Sequence, residues 1–418
     1  MNKTEARIQI NETKTNFMNV TQSAYFNKAY LICFFFLGLF PVVPFSVKPF
    51  LLGPLLLVSI SRCFYLSEKS VDWKTMAINT SIFLIFLYSC FYSENHGQTE
   101  KQIVRLLPFL VLPFGFALVP KEIYNRATQL FFRVFTIGCG LFSILVFIYA
   151  YWLNSDDIGY IYSHISWNLW GYSEHPIYIS LYVGIALIYL LWKPKKSALD
   201  FVLFIIILSL LLFLTRKGNL ISLIIVGIFA FFSQRKSIFN KNFWKIGALA
   251  IFILSIILFA FDNYIFTRFQ EIFTASEWKN PVSSTGIRNI VLQVCLELSI
   301  EQPFFGYGLG DVQDDINTRL VQQGYVALTS VHQYNAHNQY LQTALTSGYI
   351  GLFLFLGILT YNFFILKSSS VKIGLYIFLY IVICFVFESL LERQNGIIIA
   401  AIFLNLFAFK PKNENNNH

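Results

Sequence analysis

The sequence predicts an all-α fold, a polytopic membrane helix bundle, and three observations carry that reading. Hydrophobic residues make up 56% of the 418-residue chain and charged residues 13%, where a soluble globular chain carries roughly 25% charged residues. Aromatic residues reach 18%, with 46 Phe and 23 Tyr, more ring surface than a water-facing fold hides. The apolar stretches approach the roughly 20 residues that cross a bilayer as a helix. A soluble multidomain protein, a disordered chain and a collagen-like repeat are excluded by the same composition.

About twelve apolar runs follow in order: 29–47, 49–66, 75–92, 104–120, 134–153, 176–192, 200–215, 218–233, 246–262, 345–366, 373–391 and 396–409. Pro41 and Pro44 lie in the first run and Pro108 and Pro113 in the fourth; neighbouring helices can satisfy the carbonyls that such prolines free. Residues 1–28 are polar, too long for the basic segment of a signal peptide and followed by no small-residue cleavage site, so 29–47 reads as a retained helix. The expected organisation is a cytoplasmic tail (1–28), transmembrane helices 1–9 (29–262), a large helical periplasmic loop (263–344) between helices 9 and 10, transmembrane helices 10–12 (345–409) and a second cytoplasmic tail (410–418).

Charge sets the orientation. With both termini inside, the inner segments hold 21 of the 31 Lys and Arg but 7 of the 22 acids, while the outer segments hold 10 basic and 15 acidic residues. This is the positive-inside pattern, and it accounts for the net charge of +9 without nucleic-acid binding. Five of the six His (His96, His164, His175, His332 and His337) fall on the outer side. The loop before helix 10 runs for about eighty residues, and connections of that length are usually functional. The six cysteines form no C-x-x-C pair and lie mostly in apolar runs, which indicates neither a zinc knuckle nor a disulfide framework.

Three outer clusters can carry chemistry. Thr215-Arg216-Lys217-Gly218 places two cations on a tight turn between apolar runs. Such a turn either snorkels to the interface or cradles an anion, the guanidinium forking onto phosphate oxygens. In the second, Ser283-Ser284-Thr285-Gly286-Ile287-Arg288 opens an amphipathic helix marked by Ile287, Ile290, Val291, Val294 and Leu298. Ser284 or Thr285 is its expected N-cap and Pro303 its stop, so it lies along the interface or packs on the bundle. Arg288 in the first turn points where helix amides favour an anion. The following Gly306-Tyr307-Gly308-Leu309-Gly310 comes after a helix and a proline, not a strand, so it is no dinucleotide fingerprint. In the third, Ala336-His337-Asn338-Gln339-Tyr340-Leu341 leads into the tenth span. A lone His is often structural, but this imidazole stands above a membrane helix on the side of Arg216 and Arg288, where it can accept a proton from a sugar hydroxyl. Asn338 and Tyr340 can orient it or bind sugar.

These motifs resemble those of the O-antigen ligase and O-antigen polymerase superfamily, bacterial membrane glycosyltransferases. His337-Asn338-Gln339-Tyr340-Leu341 followed by Gly348-Tyr349-Ile350-Gly351-Leu352 is similar to the family's H-N-x-Y-L and G-x-x-G-L. Thr215-Arg216-Lys217-Gly218 resembles its S-R-G turn with a Lys inserted, and Arg288 with Pro303 and Gly306-Tyr307-Gly308 resembles its R-x-x-x-W…P-x-x-G-x-G block, with Leu292 in place of the Trp. The resemblance implies a multi-pass protein of the bacterial inner membrane. It would transfer a glycan, with inversion and without a metal or other cofactor, from an undecaprenyl-diphosphate donor to an acceptor hydroxyl at the periplasmic face. The acceptor is lipid A–core in a ligase or another lipid-linked repeat in a polymerase. It further implies catalytic roles for His337, Arg288 and Arg216 and substrate contacts for Lys217, Asn338 and Tyr340.

The chemistry of the residues agrees. Diphosphate departs without protonation, so arginines can stabilise its growing charge and one base suffices. A metal mechanism would draw on Asp311, Asp314 and Asp315, which otherwise read as a solvated loop. A transporter or flippase is the competing class, and the sequence lacks the repeated halves expected of one.

Orientation is testable directly. In a background free of the six native cysteines, Thr285→Cys and His337→Cys should react with an impermeant maleimide in intact cells, and Lys195→Cys and Lys241→Cys should not. Labelling at position 195 would reverse the topology.

Overall fold

The computed structural model describes residues 23–64, 71–153, 160–161, 164–165, 174–233, 274–301, 304–329, 334–369 and 372–409, and every regular element among them is helical. The first helix, α1 (23–38), turns Tyr30, Cys33, Phe34 and Leu37 inward while Ile32, Phe35 and Phe36 stay exposed, a stripe at helical spacing. It starts and stops earlier than the expected 29–47. Pro41 and Pro44 remove amide donors, and residues 39–47 turn instead. A 3₁₀ turn, Lys48–Leu52, then feeds a short helix, α2 (Gly53–Cys63). The expected span 104–120 is likewise two helices, α4 (His96–Leu106) and α5 (Pro108–Ala117), split before Pro108.

Elsewhere among the described residues the apolar runs fall on helices, although the helix over the expected 134–153 begins at Lys121, thirteen residues ahead of it. The helices are α3 (Trp73–Ser89), α6 (Lys121–Leu153), α7 (Pro176–Trp192), α8 (Ala198–Phe213), α9 (Lys217–Ser233), α12 (Gln339–Ser368), α13 (Ile373–Phe387) and α14 (Gln394–Leu406). The segment Trp73–Tyr92, with 20 residues, α6 with 33 and α12 with 30 are long and apolar enough to cross a membrane. The helices α7, α8, α9, α13 and α14 are apolar but shorter. The chain is therefore a helical membrane protein. The expected ninth span, 246–262, lies outside the described residues, as does most of 154–175.

One apolar core joins residues of α1, α3, α5 to α9, α13 and α14. A second, smaller core forms where α10 (Ser284–Glu301) meets α11 (Val312–Gln322): Ile290, Val291, Val294 and Leu298 face Val312, Ile316 and Leu320, with Leu345 of α12 beneath. The amphipathic helix thus packs on the bundle. Its cap falls one residue ahead of expectation, because Ser283 Oγ accepts from the Gly286 amide at 3.0 Å.

The Gly-Tyr-Gly run has a structural task. Within α12 the backbone leaves helical geometry at Ser347 and at Gly348, whose φ is 69°. Carbonyls freed by such a break need donors. Tyr307 N reaches Leu345 O at 2.7 Å and Gly308 N reaches Thr346 O at 3.1 Å. The approach is so close that a Cβ on Gly306 would lie 2.4 Å from Leu345 O, and one on Gly348 1.9 Å from Phe304 O.

A buried ion pair ties three further segments together. Lys48, wholly buried, pairs with Glu174 ahead of α7, and Glu174 Oε1 accepts from Asn395 Nδ2 of α14 at 2.6 Å. The Lys48 ammonium also lies 4.4 Å from the Phe40 ring centroid. Removing one partner of such a pair strands the other charge, a loss of about 3–5 kcal/mol. Lys48→Met should therefore lower the melting temperature of the purified protein sharply, and adding Glu174→Gln should restore much of the loss. Equal melting of the single variant and wild type would show that the pair is dispensable.

Candidate active site

Four helix starts and one helix end meet at one end of the bundle. Asn219 of α9 donates to Ile177 O of α7 at 3.0 Å, which sets those two N-termini side by side. Gly218 packs so closely on the end of α13 that an added Cβ would sit 2.5 Å from Phe387 Cβ. Lys217 Nζ lies 3.5 Å from Thr285 Oγ1 in the first turn of α10. The start of α12 is laced to the segment beyond α13. Asn338 N donates to Ser389 Oγ at 3.2 Å, Asn338 Nδ2 to Val386 O at 3.1 Å, and Leu391 N to Gln339 Oε1 at 2.7 Å. Helix N-termini present unpaired amides and the positive end of the helix dipole, so their convergence favours an anion.

At the centre stands Glu388, directly after α13 and almost fully buried. Its Oε1 lies 2.9 Å from His337 Nδ1, and its Oε2 lies 3.3 Å from a terminal nitrogen of Arg288. Burial alone would push this carboxyl up. The His337 imidazole, by charge and hydrogen bond, and then Arg288 and His175 outweigh it and hold Glu388 down at about 2. The carboxylate is ionised, so His337 Nδ1–H donates to it and Nε2 is left as the proton-accepting nitrogen.

His175, at the start of α7, completes the group. Its Nδ1 accepts from the Ile177 amide at 3.4 Å. Burial and then the positive charge of Arg216, with Arg393 and Arg288 adding to it against the pull of Glu388, lower it to about 3. At neutral pH it is an uncharged N–H donor among arginines. Two residues of the cluster hold backbone angles that side chains rarely adopt: Thr215 at φ 46° and His337 at φ 47°. Strain of this kind concentrates at functional sites.

The structure thus gathers Arg216, Lys217, Arg288 and His337, which the sequence placed far apart. It gives Asn338 and Tyr340 framework bonds: Asn338 Oδ1 caps α12 by accepting from Leu341 N at 3.0 Å, and Tyr340 OH donates to Val382 O at 2.8 Å. Glu388 and His175 were missed as site residues. Both sit at the ends of apolar runs, and only the fold shows what they face.

Asp311 and its neighbours take no part in this cluster. Both Asp311 carboxylate oxygens accept backbone amides, from Glu94 and Asn95 at 2.7 Å each, and Asp314 accepts from Asn95 Nδ2 at 2.9 Å. Asp311 and Asp314 clasp the loop to residues 94–95, and with Asp315 they line a cleft of about 600 Å³. Burial, with Asp311, Asp314 and Glu94 adding to it, raises Asp315 to about 6. Among the described residues no group of three metal-ligating side chains is arranged to hold an ion.

No curated protein matches the chain at a significant level. Residues 201–356 match the family model for O-antigen ligase, and that segment includes Arg216, Lys217, Arg288 and His337. The likeness over these residues is to the O-antigen ligase superfamily, whose members are glycosyltransferase-like membrane enzymes.

Proposed function

We propose that this protein transfers a glycan from an undecaprenyl-diphosphate carrier to an acceptor hydroxyl, with inversion, at the periplasmic face of a bacterial inner membrane. The observation that carries the reading is the line Arg288–Glu388–His337, set among helix N-termini beside Arg216 and Lys217. In the reaction the acceptor hydroxyl gives its proton to His337 Nε2 as its oxygen attacks the anomeric carbon. The bond from that carbon to the phosphate oxygen breaks, and the diphosphate leaves with the electron pair. Arg216 and Arg288, helped by Lys217 and the neutral His175 N–H, stabilise the charge that grows on the leaving group. Glu388 fixes the His337 tautomer and stabilises the imidazolium, the role a carboxylate plays behind a catalytic histidine.

Lipid A–core is the acceptor we assign, which makes the protein a ligase; a polymerase uses the same groups on another lipid-linked repeat. A deletion strain separates the two. Polymer stranded on the carrier identifies a lost ligase, and single repeats attached to lipid A identify a lost polymerase.

Three variants test the division of labour. His337→Ala should cut transfer by about 10²–10⁴ while donor binding persists. Arg216→Lys keeps the charge but loses the bidentate fork, so donor binding and transfer should both fall, transfer by about 10²–10³. Glu388→Gln should slow transfer by at least about 10² with donor held as well as before or better, since Arg288 is released. Wild-type transfer by inserted, folded His337→Ala would remove His337 from the chemistry.

The pH dependence has a definite sign. A carboxyl lowered to about 2 contributes stability above the ordinary carboxylate range and loses it as pH falls from there through about 2. Glu388 therefore stays ionised between pH 5 and 8, and the difference in melting temperature between wild type and Glu388→Gln should stay constant across that window. Chelation is a separate check: transfer should survive EDTA. Activity abolished by EDTA and restored by magnesium or manganese would shift the mechanism to Asp311, Asp314 and Asp315.

A further inference from the structure

A cavity of about 690 Å³ opens at the opposite end of the bundle from His337. The helix α7 starts beside His175 and runs 17 residues, roughly 26 Å at 1.5 Å per residue, and Lys193 just past its end lines the cavity. The floor is apolar, built on Phe132 and Tyr189, whose rings stack at 4.1 Å between centroids and 4° between planes. The rim is cationic: Arg133, Lys193 and Lys195. Asp200 also faces it, but Lys193 Nζ binds that carboxylate at 2.6 Å and the Ser197 amide donates to it at 2.6 Å. Its charge is thereby matched, and Arg133 and Lys195 remain uncompensated; among the described residues neither has a carboxylate partner. Thr128, also in the lining, is 6% exposed and its hydroxyl has no hydrogen-bond partner. Leaving such a buried donor unmet typically costs about 1–3 kcal/mol.

A second cleft continues the same seam between α6 and α8. It has a volume of about 500 Å³, is lined by Ile144, Phe147, Ile148, Ile205 and Ile206, and is almost wholly apolar. A cationic, hydrogen-bonding pocket and an apolar groove thus follow one another along one pair of helices, with Leu203 packed against Gly140 between them. That is the shape of a phosphorylated headgroup with a hydrocarbon chain.

We infer that the pocket lined by Thr128, Arg133, Lys193 and Lys195, with the groove beyond it, binds an anionic phospholipid. Basic pockets between membrane helices hold such headgroups. The cleft between α6 and α8 takes an acyl chain, and a chainless phosphate would leave it unfilled. The bound lipid braces α7 and α13, because Tyr189 and Ile373 line the pocket and the far ends of the same helices carry His175 and Glu388.

The test uses the full-length protein, delipidated in detergent, with native mass spectrometry and thermal melting as readouts. Phosphatidylglycerol, phosphatidylcholine and inorganic phosphate are titrated separately. Phosphatidylglycerol should be retained at least about ten-fold better than phosphatidylcholine and should raise the melting temperature, while inorganic phosphate should do neither. The variant Arg133→Gln/Lys195→Gln alters side chains at the surface, so its lipid-free melting should match wild type, and its preference for phosphatidylglycerol should vanish. Ser209→Trp, which fills the apolar groove, should weaken retention of phosphatidylglycerol with the cations intact. Equal retention of the two lipids by wild type overturns the proposal. So does a preference that survives in the double variant, or protection by phosphate alone.

Discussion

Glu388 is the group on which the arrangement at this end of the bundle depends. Arginines 216, 288 and 393 and the starts of α7, α9, α10 and α12 all bring positive potential to one region. Cations packed this way repel one another, and a buried carboxylate that bonds both Arg288 and His337 offsets that repulsion. Its own desolvation is met by two direct partners, the condition under which a buried charge is tolerated. In the proposed transfer the same carboxylate yields Arg288 to an incoming diphosphate while keeping His337, because its two oxygens serve the two partners separately. In that proposal, ground-state neutralisation and readiness for the reaction come from one residue.

Glu388 in turn depends on the start of α12 lying along the segment after α13. The bonds from Asn338 to Val386 and Ser389, and from Leu391 to Gln339, hold that register. The other end of the same helical turns is held by the Gly306–Gly308 run, whose amides take the carbonyls freed at the break near Gly348. A helix broken inside a bundle is stable only when other backbone supplies the missing bonds. The loop carrying α10, and with it Arg288, therefore hangs on the break that ends the His337 turn of α12. The segments that carry Arg288 and His337 are coupled through backbone as well as through Glu388.

Much of this was legible in the sequence. The apolar run at 176–192 reproduces α7, and the 3.6-residue spacing of Ile287, Ile290, Val291, Val294 and Leu298 gives the buried face of α10. The clusters at 216–217, 288 and 337 could be singled out because charge and imidazole beside hydrocarbon are expensive. What failed to show were features decided by partners distant in the chain. Glu388 lies within the apolar run 373–391, His175 counts only among the five outer histidines, and the bonds that Asn338 makes to the segment after α13 have no signature in the sequence. Each takes its role from contacts made 40 residues or more away, or from the charge of another helix. Helix limits at prolines shifted for a local reason: at Pro41, Pro44 and Pro108 the lost amide bond outweighed the continuity of the apolar run.

The backbone strain at Thr215 and His337 fits this dependence on distant partners. Left-handed geometry costs a residue with a Cβ roughly 1–2 kcal/mol, and at His337 the local bond from its amide to Asn335 Oδ1 at 3.1 Å is joined by one from a distant carboxylate. Thr215 comes immediately before Arg216, and His337 immediately before the cap of α12. A regular helix entry at these points would send the chain, and the side chains it carries, along the bundle surface. The turn at φ near 47° instead sets the His337 ring against Glu388, and that contact is charge-assisted at 2.9 Å. Hydrogen bonds to charged groups contribute about 1.5–3 kcal/mol, enough to hold one strained residue in place. The strain at His337 and the depressed carboxyl at Glu388 are then two sides of one equilibrium: neutralising the carboxylate would release the ring, and the backbone could relax toward the ordinary helix entry.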